Sequence, residues 1–165
     1  THVSTHVSME QSIRNCKKER VLDVIELTWN AISRFKESPR IAVAGLNPHA
    51  GENGAFGRQE IEEIGPAVEE AKARGMQVYG PIPPDTVFLR AYKGEFDAVV
   101  CMYHDQGHIP MKLLDFEGGV NVSLGLKVVR TSVDHGTAYD IAYQGKAKTG
   151  SLVAAYEYAV KIQNK

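Results

Sequence analysis

The chain is short of cysteine, has one tryptophan and contains no long apolar run, and each shortage closes off a class of protein. Its two cysteines, Cys16 and Cys101, stand far apart without CxxC spacing. That removes a disulfide framework and makes a reducing cytoplasm the expected compartment. No stretch approaches the roughly 18 apolar residues that a bilayer span needs, so no membrane partner is expected. Charge of one sign is missing too: 19 basic and 20 acidic residues are interspersed, for a formal net charge of -1. Neither nucleic acid nor an anionic surface finds a footprint on such a chain. A small-molecule partner is the expectation.

Nucleotide fingerprints are also absent. Gly51-Glu52-Asn53-Gly54-Ala55-Phe56-Gly57 is spaced GxxGxxG rather than GxGxxG, and Gly145-Lys146-Ala147-Lys148-Thr149-Gly150-Ser151 lacks the Walker A order. Each reads first as a turn before a helix, whose amide groups can still favour an anion.

What is present suffices for one substantial core, since 165 residues at 43% hydrophobic do not extend to two full domains. The chain starts with Thr1-His2-Val3-Ser4, repeated at once as Thr5-His6-Val7-Ser8 without an initiating methionine. It reads as beginning inside a strand, with Val3 to Val7 β-rich; a trimmed chain and a natural short form both fit.

Ser8 is a candidate N-cap for a helical pattern from Met9 to Phe35, broken near Asn15 to Arg20. Ile41 to Leu46 has the look of a buried parallel strand. Arg58 to Arg74 places Ile61, Ile64, Val68 and Ala71 at helical intervals and stops at Gly75. Gln77 to Tyr79 predicts a strand closed by Gly80 to Pro84, and Asp85 a cap for a short helix to about Tyr92. Ala98 to Met102 is the strongest strand signal. Strands at Val120 to Leu124 and Val128 to Val133 follow, then a turn at Asp134-His135-Gly136, a helix from Thr137 and a last helix from Ser151 to about Ile162.

Strands alternating with helices predict an α/β fold with a mainly parallel sheet. In such sheets ligands bind beyond the carboxyl ends of the strands. His6, His49, His104 and His135 all fall at or just past predicted strand ends. Imidazoles at such positions suit a divalent metal ion, and three of them leave coordination sites open for water or substrate. On spacing alone, loop histidines are more often exposed or hydrogen-bonded without a metal. Asp105, beside His104, reads equally as a partner for a ligand imidazole and as a helix cap. Lys112, Lys127, Arg130 and Asn121 offer donors for a phosphate or carboxylate.

Four motifs, in this order and spacing, go further: Asn47-Pro48-His49-Ala50-Gly51-Glu52, Tyr103-His104-Asp105-Gln106-Gly107, Gly119-Val120-Asn121-Val122 and Arg130 to Ala138. Together they resemble the 4-hydroxythreonine-4-phosphate dehydrogenase family of pyridoxal phosphate biosynthesis. The resemblance runs over essentially all 165 residues but covers only the C-terminal half of a family member, so 1–165 is expected to be the C-terminal part, with the N-terminal half absent. It implies a three-layer α/β/α fold like that of isocitrate and isopropylmalate dehydrogenases, in a two-domain protein working as a homodimer with a shared active site.

The same resemblance implies the site residues. The metal ligands fall on His6, His49 and His104, for zinc, magnesium, manganese or cobalt. Substrate contacts fall on Lys112, Asn121 and Arg130, and contacts with NAD or NADP on His135, Gly136, Thr137, Ala138 and Asp140. The implied chemistry is metal-assisted oxidation and decarboxylation of a phosphorylated hydroxy acid such as 4-phosphohydroxy-L-threonine, with Asp105 and Asp85 as candidates for proton handling. Lys127 and Tyr143-Gln144 depart from the family's pattern near the cofactor pocket. The wording His108-Ile109-Pro110-Met111-Lys112-Leu113 and the Ser4 to Ser8 segment look closer to the branch acting on four-carbon phosphorylated sugar acids, such as phosphothreonate or erythronate phosphate. A truncated homologue that binds metal or ligand without catalysis is the remaining alternative.

Overall fold

A computed structural model describes residues 1–163. The chain divides into two compact units, Thr1–Pro110 and Met111–Lys165.

In the first unit the sheet is built around β1 (Ile41–Ala44), whose four residues are all buried. It pairs in parallel with β2 (Val78–Ile82) on one side and β3 (Ala98–Val100) on the other. A strand covered on both faces must be apolar throughout rather than alternating, which is why Ile41-Ala42-Val43-Ala44 carries no polar side chain. Ile41 and Val43 join the cluster formed by α2 (Lys18–Ser33) and α3 (Gly65–Ala73). Ala42 and Ala44 face the other way, into the cluster around Val87 of α4 (Pro84–Tyr92) and Phe96. Helices therefore cover both faces of a parallel sheet, as the alternating pattern predicts.

Local chemistry sets the boundaries. Ser8 caps α1 (Met9–Asn15), its Oγ accepting from the Gln11 N–H at 3.1 Å, and the expected break falls between Asn15 and Lys18. Val21, Val24, Ile25 and Thr28 of α2 are buried at helical intervals, the stripe that docks it on the sheet. Three expectations need correction. Val3 to Val7 is not a strand: only His2 makes a parallel bridge, to Cys101, with the Val3 and Ser4 N–H groups donating to Cys101 O and Met102 O. The predicted end of β2 is overrun, since the chain stays extended through Gly80 and Pro81 to Ile82. Asp85 does not cap α4; the N-cap is Pro83, and Asp85 lies exposed in the first turn.

The helix predicted over Arg58 to Arg74 opens as a π-turn over Glu60–Ile64 before α3 begins. Pro66 has no N–H for the carbonyl four residues back, and the Gly65 N–H reaches Glu60 O instead. The buried positions accordingly shift: Glu60, Ile64, Ala67, Val68 and Ala71 face inward, and Ile61 is exposed.

The second unit contains the antiparallel ribbon of β4 (Val120–Ser123) and β5 (Arg130–Val133), with α6 (Gly150–Gln163). Both strands lie where expected but pair with each other, outside the parallel sheet. The Thr131 Oγ1 hydroxyl donates to Ala155 O at 2.9 Å, and that of Ser151 to Gly119 O at 2.6 Å, tying α6 to the ribbon. No helix starts at Thr137; a single 3-10 turn, Tyr139–Ile141, follows Ala138 in a left-handed conformation. Tyr139 and Tyr143 are exposed, so this stretch has no buried face to stabilise a helix. Among the described residues, no helix is long and apolar enough to cross a membrane.

Candidate functional site

Four histidines of the first unit gather where α5 (His104–Leu114) starts. The rings of His6 and His104 stand 5.6 Å apart, tilted by 48°. With metal–nitrogen bonds near 2 Å, two imidazoles on one tetrahedral ion have ring centres about 5 Å apart, so this pair is spaced for a shared ligand. Asp105 Oδ1 lies 2.7 Å from His104 Nδ1. A carboxylate there favours the tautomer protonated at Nδ1 and leaves Nε2 as the free donor atom of His104.

His108 lies one helical turn on, its ring stacked on that of His104, and its Nδ1 is 3.1 Å from His104 O. The His2 ring lies 4.7 Å from that of His108 and 6.3 Å from that of His104. Its Nε2 is buried without a hydrogen-bond partner, and burial is the main cause that pulls its pKa down to about 3. His2 is therefore neutral at ordinary pH, a packed ring rather than a charge.

His49 sits on a different scaffold. Residues His49 to Asn53 all have positive φ, between 42° and 81°, a left-handed turn that costs roughly 1–2 kcal/mol for each non-glycine residue. The turn is held from outside. Glu60, 4% exposed, accepts the backbone N–H groups of Leu46 and Asn47 on Oε1 at 2.8 and 2.7 Å, and the Asn47 side-chain amide on Oε2 at 2.8 Å. A Cβ at Gly51 would come within 2.7 Å of Glu60 Oε2, so glycine is required at the centre of the turn. The His49 imidazole is exposed and packs at 6.0 Å from the Phe56 ring. Among the described residues no group of three or more His, Cys, Asp or Glu is arranged to hold a metal ion; the structure brings His6 and His104 together and displays His49 on its own loop.

Asp105 is thus in contact with the histidine cluster, whereas Asp85 is exposed in the first turn of α4. In the second unit, Asn121 pairs with Ser132 and Ser123 with Arg130 across the ribbon. Alternation along strands puts these four side chains on one face, so Asn121 and Arg130 form one polar surface. The Arg130 guanidinium donates to Ser123 Oγ at 2.9 Å, and Lys112 Nζ stands 3.8 Å from Asp134. His135, Gly136, Thr137, Ala138 and Asp140 are exposed; His135 Nδ1 is 3.0 Å from Gly136 O, and the Gln144 amide donates to Asp140 O at 2.7 Å.

Sequence reasoning passed over His2, His108, Glu60 and Gln106 as site components. For Glu60 a signal existed: a carboxylate in helical phase with Ile64, Ala67 and Ala71 marks a buried charge needing donors. For Gln106 none did, because the carbonyl it donates to, that of Gly45, lies 61 positions away.

Matched against protein-family models, residues 1–159 fit that of the pyridoxal phosphate biosynthetic protein PdxA. The chain is 54% identical over 162 residues to D-threonate 4-phosphate dehydrogenase of Pectobacterium atrosepticum, covering 98% of this chain and 50% of that protein. It is 52% identical over 159 residues to 4-hydroxythreonine-4-phosphate dehydrogenase of Desulforapulum autotrophicum, covering 95% and 47%. The crystal structure of 4-hydroxythreonine-4-phosphate dehydrogenase from Klebsiella pneumoniae superposes with a TM-score of 0.91 at 50% identity, over 99% of this chain and 50% of that one. The chain spans about half the length of the curated relatives it matches.

Proposed function

Since the chain belongs to the PdxA family, we propose that it supplies the C-terminal part of a two-domain, isocitrate dehydrogenase-like enzyme that oxidises and decarboxylates a phosphorylated hydroxy acid with NAD or NADP. The observation carrying this reading is the juxtaposition of His6 and His104, with Asp105 on the Nδ1 side of His104. Isolated loop histidines have no reason to be paired and oriented in this way.

His6, His104 and His49 would hold a divalent ion, such as zinc, magnesium, manganese or cobalt. When bound, the ion would act as a Lewis acid that lowers the pKa of the substrate hydroxyl and steadies negative charge during loss of carbon dioxide. The chain's own residues do the rest. Asp105 orients His104 and is the nearest carboxylate for a proton. Arg130 and Asn121 present guanidinium and amide donors on one face, suited to a phosphate or carboxylate, and Lys112 adds a further cation. His135 to Asp140 form the candidate cofactor contacts. Asp85 is the weaker candidate for proton handling, since nothing brings it to the cluster.

The exposed place of His49 supports a homodimer in which this loop completes a site on the partner. So does the apolar face of α6, where Leu152, Val153, Tyr156 and Val160 are exposed; such a patch signals a covered surface.

Two substrates deserve direct comparison. The 54% identical relative is named for D-threonate 4-phosphate and the 52% identical one for 4-hydroxythreonine-4-phosphate, and the His108-Ile109-Pro110 wording looks closer to the branch acting on phosphorylated sugar acids. The test is the appearance of reduced nicotinamide when the protein is mixed with manganese, NAD or NADP and each acid separately. Turnover abolished by chelator and restored by manganese is the expected result. Tight manganese binding with no oxidation of either acid would instead favour a binding protein without catalysis.

A further inference from the structure

The polar side chains buried in the first unit include Glu60 and Gln106, and between them they hold three consecutive residues, Gln106 taking Gly45 and Glu60 taking Leu46 and Asn47. Gln106, 7% exposed, accepts the Met102 N–H on Oε1 at 2.7 Å and donates from Nε2 to Gly45 O at 2.8 Å. The pairing of β1 with β3 ends at Val43 and Val100; continued in register, it would set Gly45 against Met102. The two strands part there, and the Gln106 amide replaces the missing rung. Gly45 also donates its N–H to Ile82 O at 2.8 Å, and Glu60 takes the N–H groups of Leu46 and Asn47. Every backbone bond from Gly45 to Asn47 named here ends on a buried or strand atom.

This arrangement matters because of what lies on either side. Gly45 to Asn47 is the root of the left-handed turn that carries His49, and Gln106 is in the first turn of the helix that begins with His104. A hydrogen bond spanning 61 positions joins the two histidine-bearing segments through one amide whose two ends are both committed. The start of the helix is closely packed as well: a Cβ at Gly107 would meet His2 Nε2 at 2.5 Å and Cys101 Sγ at 2.9 Å.

We propose that Gln106 is a positioning residue that couples the His49 turn to the His104 helix and so sets the geometry in which both histidines are presented. The coupling rests on the structure; only its consequence for metal binding rests on the reading of these histidines as ligands. A glutamine can do this where an apolar residue cannot, since both Met102 N–H and Gly45 C=O are buried and need partners.

The test compares Gln106→Leu with Thr28→Val, which removes a buried α2 hydroxyl bonded to Val24 O and to the Thr1 hydroxyl, neither of which belongs to the His49 turn or to α5. Backbone amide exchange and manganese affinity are read on the full chain. In Gln106→Leu the amides from Gly45 to Asn53 are expected to exchange roughly tenfold faster or more while those of α2 and α3 keep their protection. Manganese affinity should fall about 10- to 100-fold, the range for residues that orient metal ligands. Thr28→Val should lower the melting temperature and leave both readouts unchanged. Unchanged exchange at Gly45 to Asn53, or an equal loss in Thr28→Val, overturns the proposal, as does unchanged affinity where the unsubstituted protein binds manganese. If the unsubstituted protein binds none, the metal reading fails and the exchange result alone decides the coupling. Should Gln106→Leu not fold, Gln106→Glu keeps the acceptor for Met102 and loses only the donor to Gly45; its exchange must rise in the same segment.

Discussion

The imidazole of His108 lies parallel to that of His104, with ring centres 3.9 Å apart and planes within 7°. One helical turn separates them, so the stack follows from helix geometry plus the accident of two histidines at i and i+4. It gives His104 a fixed ring plane before any ion arrives.

Replacing His108 by alanine removes that face. A loss of about 0.5–1.5 kcal/mol is expected from the stack, seen as roughly a two- to tenfold weaker manganese affinity by calorimetry. His108→Phe, which keeps a flat ring, should retain most of the affinity. Equal weakening in both variants would show that the nitrogen, not the ring face, is what counts.

Glu60 bonds three donors with two oxygens while almost fully buried. Glu60→Ala leaves the Leu46 and Asn47 N–H groups without partners, at about 1–3 kcal/mol each, on a turn already strained by its positive φ values. Urea denaturation should show a loss of several kcal/mol. Glu60→Gln keeps an oxygen for the two N–H groups and should cost roughly half as much or less.

Arg130 is exposed, and its guanidinium donates to Ser123 Oγ. Arg130→Met should therefore shift stability by no more than about 0.5 kcal/mol. If the polar face of the ribbon takes a phosphate or carboxylate, KM for the phosphorylated acid should rise by an order of magnitude or more, in line with the roughly 1.5–3 kcal/mol of a hydrogen bond to a charged group. An unchanged KM would remove Arg130 from the substrate site.

Burial pushes the Cys16 thiol up to about 12 and the Cys101 thiol up to about 11, from an ordinary value of 9.0. Folding thus favours the neutral thiols. Their contribution is complete below pH 9 and is lost as pH climbs from 9.0 through about 11 and about 12. At pH 8 the folded protein should resist iodoacetamide and both thiols should react once urea unfolds it. Labelling of either cysteine in the folded state at the rate of a free thiol would contradict this packing.

Much of the fold was legible from pattern. The run Ile41 to Ala44 announced a strand buried on both faces, Ser8 a helix start, and the polar break after Asn15 a division between two helices. The placing of His104 directly after the strongest strand signal foretold its place at a sheet edge. The helix from Thr137 was misread because its residues are compatible with helix but have nothing to pack on. The strand expected at Val3 to Val7 fails for a complementary reason: the chain follows Cys101 and Met102 only as far as Ser4, and then turns, the Val7 N–H donating to Thr5 O.

What the sequence by itself determined is the α/β alternation, the central apolar strand and the chemistry available at the strand ends, because periodicity and residue type act within one segment. Tertiary structure alone decided that His6 meets His104 while His49 stands on a left-handed turn, that β4 and β5 pair with each other, and that Glu60 and Gln106 grip Gly45 to Asn47. Those outcomes depend on groups finding partners outside their own segment, from 13 positions away for Glu60 and Asn47 to 61 for Gln106 and Gly45, and no local pattern records which ones they find.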